Sequence, residues 1–122
     1  MPSRWLIAAL LIAALLAALH YVALADFLYW RYRWFDTPMH ILGGAAIGTF
    51  AIALMPKFRP FSYIVIILTA AIAWEVFEYV LGVSVLPGTN YVWDTAHDIL
   101  NDSIGAIFMY VVARFTTWKP EA

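Results

Sequence analysis

The sequence predicts an all-α polytopic membrane protein, a four-transmembrane-helix bundle forming a single domain over residues 1–122, and three observations carry that expectation. First, 65% of the residues are apolar, 12% are charged and the mean hydropathy is +0.82, which leaves almost no water-soluble part. Second, four apolar runs at approximately 5–26, 37–55, 61–81 and 94–116 are each long enough to cross a bilayer, and short connections separate them. Third, the acids and histidines are not scattered along these runs but gather toward one end of them. Composition also narrows the chemistry. With no cysteine, disulfides and thiolate metal sites are removed, leaving histidine, carboxylate, amide and hydroxyl groups. A net charge of −1 without a basic cluster gives no reason to expect a nucleic-acid partner.

The first run, 5–26, is interrupted only by His20, which reads as a polar group paired inside the bundle. Its start, Met1-Pro-Ser-Arg4, and the Ala23-Leu-Ala25 near its end also fit a signal peptide. The run exceeds the usual apolar region of about 7 to 15 residues, so a transmembrane helix is the better reading. The connection 26–35 is dense in aromatics and carries Arg31 and Arg33, as expected of an interfacial anchor belt. A guanidinium there also matches an anionic head group in shape and charge.

The second run opens at Asp36-Thr-Pro38, read as an N-cap followed by a first-turn proline. Asp36 and His40 stand at i and i+4 and so share a face. Gly43 follows, then Gly44 and Gly48 as a GxxxG pair, which permits close helix approach and a possible homo-oligomer. Pro56-Lys57-Phe-Arg59-Pro60 is a short breaker-rich turn. The third run is purely apolar until Trp74-Glu75-Val-Phe-Glu78, which puts two carboxylates near its end. A turn with Pro87-Gly88 and Asn90 leads to the fourth run.

That last run begins unusually for a membrane helix, with Asp94, His97, Asp98, Asn101 and Asp102 entering an apolar segment. Asp94, Asp98, Asn101 and Gly105 line one stripe, with His97 expected beside Asp94. At 1.5 Å per residue the stripe descends roughly 10 Å from Asp94 to Asn101. Polar groups at that depth cost several kcal/mol unless paired, hydrated or metal-bound, so they point to function.

Alternating the direction of four helices brings Asp36 and His40, Glu75 and Glu78, and Asp94, His97, Asp98 and Asn101 to the same side of the membrane. His20 lies toward that side as well. Five cations, Arg4, Lys57, Arg59, Arg114 and Lys119, fall on the opposite side, against Arg31 and Arg33 on the cluster's own side. The positive-inside rule then places both termini in the cytoplasm and the polar cluster outward, in a prokaryotic inner or plasma membrane.

Asp36-x3-His40-x2-Gly43, Trp74-Glu75-x2-Glu78 and Val92-Trp93-Asp94-Thr95-x2-Asp98-x6-Gly105-Ala106 together resemble the signature of YjdF-like integral membrane proteins and, more loosely, of VanZ-like proteins. The resemblance covers the last three helices, and its matching positions are Asp36, His40, Glu75, Glu78, Asp94 and Asp98. It implies a membrane protein acting on lipid head groups or related phosphorylated envelope substrates, with membrane lipids or a lipid-linked substrate as partners.

Two histidines and several carboxylates form a ligand set for a divalent metal such as Mg, Mn, Fe or Zn. The leading expectation is a metal-dependent hydrolase or transferase acting on a lipid head group, with His40, Glu75, Asp94 and Asp98 as metal ligands. His97, Asp36, Glu78 and Asn101 are then the catalytic groups. The alternatives are a proton or cation conduit using the acids as a relay, and a bundle in which buried polar groups only pair. A di-iron site is a weaker match, because Asp94-x-x-His97 is the one approximation to its repeat.

Overall fold

The computed structural model describes residues 2–82 and 90–118. Four long helices dominate it: α1 (Pro2–Ala25), α3 (Asp36–Leu54), α4 (Pro60–Leu81) and α5 (Tyr91–Thr116). A single-turn helix α2 (Leu28–Arg31) and a 3₁₀ turn (Arg33–Phe35) join α1 to α3. All four long helices are apolar and long enough to cross a bilayer. Large apolar side chains such as Ile7, Leu11, Phe61, Val80, Phe108 and Phe115 stand exposed on them, as a hydrocarbon surrounding requires.

Element boundaries follow local chemistry. Pro60 occupies the first turn of α4, where its missing N–H costs nothing. Gly82 ends that helix with φ 69°, a left-handed cap that donates its N–H to the Tyr79 carbonyl. The expected turn at Pro87 and Gly88 falls in 83–89, outside the described residues. Asn90 caps α5, its side-chain oxygen accepting from the N–H groups of Val92 (2.9 Å) and Trp93 (3.2 Å). The helix therefore starts three residues before Asp94, whose carboxylate is left to face the bundle. Asp36 departs from its expected role: Phe35 holds the N-cap position with no side-chain cap bond, and Asp36 is already helical.

α3 is the central helix, packed against α1, α4 and α5, and α4 also packs on α5. The seam between α3 and α5 is backbone against backbone. A Cβ on Gly44 would sit 1.8 Å from the Asp102 carbonyl oxygen, and one on Gly105 would sit 1.9 Å from that of Ile41. Gly48 faces the Tyr63 hydroxyl and Ala106. The close approach expected of the glycine pair is thus made inside one chain, and Gly44 and Gly48 are buried there rather than presented to a second copy.

Beyond this seam, away from the acids, lies an apolar cluster of Ala51, Ile52, Met55, Tyr63, Ile67, Ala106, Ala113 and Trp118. Its polar atoms are satisfied. The Tyr63 hydroxyl donates to the Ala106 carbonyl at 2.6 Å, and Trp118 Nε1 donates to that of Met55 at 2.9 Å. Trp5 Nε1 donates to Thr117 Oγ1 at 2.7 Å, tying α1 to the end of α5.

Candidate functional site

Because α3 starts, α4 ends and α5 starts at the same end, their polar residues converge. His40 is the hub. Its Nδ1 lies 3.2 Å from Asp102 Oδ1, while Nε2 lies 3.5 Å from Asp36 Oδ1 and 3.4 Å from Asp98 Oδ1. The glycine seam makes this possible, since the backbone contact at Gly44 carries Asp102 to within reach of the imidazole one turn away. Asp36 reaches the same ring from its own helix at i−4.

Two groups of side chains bring potential ligand atoms within 4.8 Å of one another: His40 with Glu75, Glu78 and Asp98, and Asp36 with Asp94 and Asp98. All four expected metal ligands, His40, Glu75, Asp94 and Asp98, fall in these groups. Asp36 and Glu78, expected as catalytic groups, also fall in these groups. Glu75 accepts from Thr95 Oγ1 at 3.3 Å through Oε2, and Glu78 accepts from Trp74 Nε1 at 3.0 Å.

Among the described residues two buried side-chain oxygens have no hydrogen-bond partner. Glu75 Oε1 and Asp98 Oδ1 are buried without a hydrogen bond, on residues only 3% and 1% exposed. Asp98 Oδ1 lies 3.4 Å from His40 Nε2 without a hydrogen bond to it. Among the described residues no lysine or arginine makes an ion pair with any of these acids. Arg31 and Arg33 are exposed on the connection at this end.

His97 and Asn101 lie elsewhere. His97 is exposed and takes no place in either ligand group; its Nδ1 meets the buried Asn101 amide at 3.2 Å. Of the expected stripe Asp94, Asp98, Asn101 and Gly105, the last three are buried on the face that α5 turns inward and Asp94 is half-buried, whereas His97, expected beside Asp94, is exposed. Asp102, left out of the site assignment from sequence, belongs to neither ligand group but pairs with His40 Nδ1, and its i+4 spacing from Asp98 was a usable signal.

A cavity of about 500 Å³ adjoins the cluster between α1, α3 and α4. Its wall is mostly small and apolar, including Ala13, Ala17, Gly43, Ala46 and Ala70, and its polar side is formed by Asp36, His40, Glu78 and Asp102. His20 also lines it, paired with the Tyr29 hydroxyl at 2.7 Å as its isolation in α1 suggested. Burial, with Asp36 and Glu78 nearby, pushes the Tyr29 phenol well above its ordinary value, so it remains a neutral partner for His20.

The chain matches the family described as a predicted membrane protein (DUF2238) over residues 2–119, and it belongs to that family. It is accordingly an integral membrane protein. No curated protein and no solved structure matches it.

Proposed function

We propose that this protein is a divalent-cation-dependent membrane enzyme that hydrolyses or transfers a phosphorylated lipid head group. One observation carries the reading: the apolar cavity shares Asp36, His40 and Glu78 with the two ligand groups. A slot at hydrocarbon depth that ends on carboxylates and an imidazole fits an amphiphile, with its chain among the alanines and its head at the polar side. A bare phosphate would meet the carboxylates of Asp36, Glu78 and Asp102 and be repelled, so the head group needs cations between itself and the acids. A divalent ion held there polarises a phosphoryl oxygen and lowers the pKa of a bound water.

The chain's own residues then have separate tasks. Asp102 fixes the His40 ring through Nδ1 and turns Nε2 toward the acids. His97, exposed on α5 and bonded to Asn101, is assigned the proton exchange with the head group. Arg31 and Arg33 are the cations available to an anionic head. In hydrolysis a water oxygen bonds to phosphorus, the ester P–O bond breaks and the leaving alcohol takes a proton. The resemblance to YjdF-like and VanZ-like proteins supports an envelope lipid as substrate. A proton conduit is less well supported, because the apolar and aromatic cluster around Tyr63 and Trp118 offers no acid to continue a relay.

The test is release of phosphate or head group from phosphatidic acid and phosphatidylglycerol in mixed micelles, with Mg, Mn, Fe or Zn added. Turnover that a chelator abolishes and Asp98→Asn lacks is expected. A wild-type protein that carries no metal and turns over neither lipid with any of these ions contradicts the reading. The cation asymmetry further supports both termini in the cytoplasm and the site in the outer half of an inner or plasma membrane. A reporter fused after Ala122 should be active inside the cell, and activity outside reverses the assignment.

A further inference from the structure

Resting on that metal-dependent reading, we propose that the polar end holds two divalent cations side by side, bridged by Asp98. The geometry gives two ligand groups rather than one, and Asp98 is the residue common to both. One comprises His40, Glu75 and Glu78 with Asp98; the other comprises Asp36 and Asp94 with Asp98. A tetrahedral ion is filled by the first group alone, which leaves Asp36 and Asp94 facing each other without compensation. A second ion uses them. Two-metal sites place their ions about 3.5 to 4 Å apart, a span that one bridging carboxylate covers.

The unpartnered oxygens point the same way independently. Asp98 Oδ1 and Glu75 Oε1 are buried, make no hydrogen bond among the described residues, and belong to the proposed bridge and to one of its flanking ligands. Native proteins rarely leave such atoms orphaned, and an absent cation is one of the few physical reasons to do so. His40 fits a ligand bonded through Nε2, because its Nδ1–H is spent on Asp102 in the manner of a carboxylate–histidine–metal triad.

Charge argues for the second ion. The six carboxylates around His40, namely Asp36, Glu75, Glu78, Asp94, Asp98 and Asp102, have no lysine or arginine partner among the described residues. One divalent ion leaves four negative charges in a low-dielectric site, whereas two leave only two. The competing arrangement has no cation at all, with protons shared among the acids and an imidazolium at His40.

The experiment uses the full chain in detergent, stripped with chelator, reloaded with Mn²⁺, dialysed, and examined by elemental analysis and electron paramagnetic resonance. Two Mn per chain and a spin-coupled spectrum are expected for wild type. Asp94→Asn and Glu75→Gln should each retain one Mn and give the hyperfine pattern of an isolated ion, and Asp98→Asn should retain none. Asp94 is only half-buried, so its variant keeps the test decisive if the Glu75 variant fails to fold. One uncoupled Mn in wild type, retained by Asp94→Asn, overturns the second cation while leaving the metal-dependent reading intact. No Mn in folded wild type overturns both.

Discussion

The two ends of the bundle use the same three helices and treat their polar atoms in opposite ways. At the end built around Tyr63, Trp118 and Met55, the indole and the phenol each donate to a backbone carbonyl. At the other end six carboxylates surround one imidazole, and two buried oxygens are left without a donor. Both ends lie in the same apolar setting, where an unsatisfied polar atom is costly. Among the described residues the first end satisfies its buried polar atoms, and the second leaves two buried oxygens without a hydrogen bond. On the reading proposed above, that contrast separates residues that hold the fold from residues that bind a cation.

The largest effect on stability should come from the seam that both ends share. Gly44→Ala puts a methyl group into the Asp102 backbone, and helix backbones cannot yield as a side chain does. Its cost should reach the upper part of the ~1–3 kcal/mol typical of overpacking, read by thermal unfolding in detergent. Metal binding should fall with it, because Asp102 and His40 are displaced together. An unchanged melting temperature means the helices do not meet there.

Next comes Asp98→Asn, which acts only on the unfinished end. With metal at about 100 times its Kd, wild type should gain about 2.7 kcal/mol and the variant far less. In chelator the variant should match or exceed wild type, since a buried unpaired carboxylate has been removed. Equal metal-induced shifts in both proteins remove Asp98 from the site.

A smaller loss, about 1 kcal/mol, is expected for Tyr63→Phe, which deletes one satisfied hydrogen bond at the finished end. Metal content should not change. If it does, the two ends are coupled more strongly than their separation implies. The smallest stability change belongs to His97→Ala, within about 0.5 kcal/mol for an exposed site. Metal content should again hold while turnover falls roughly 10²–10⁴-fold, the usual contribution of a proton-exchanging group. Loss of metal in this variant brings His97 into the ligand set.

Much of this arrangement is legible in the sequence. Apolar run length defines the four spans, and alternating direction turns the distant positions 36–40, 75–78 and 94–98 into neighbours. What periodicity cannot fix is the rotation of α5 about its axis. His97 is one residue from Asp98, so it stands about 100° away around the helix, and whether it faces in depends on where the glycine seam forms. That seam selects Asp98 and Asp102 and turns His97 outward. The cavity was illegible for a related reason: it is the space left by small residues on three helices, and no single helix encodes it. Trp118 bonding to the Met55 backbone leaves no side-chain pattern to read at all.

In the proposed cation site His40 Nε2 binds beside the orphaned carboxylate oxygens. Pulsed electron paramagnetic resonance on Mn²⁺-loaded protein reads this bond through the nitrogen modulation of a bound imidazole. The prediction is modulation from one histidine, present in wild type and in His97→Ala and absent in His40→Ala. Modulation that survives in His40→Ala, or bound Mn²⁺ with no nitrogen ligand in wild type, contradicts it.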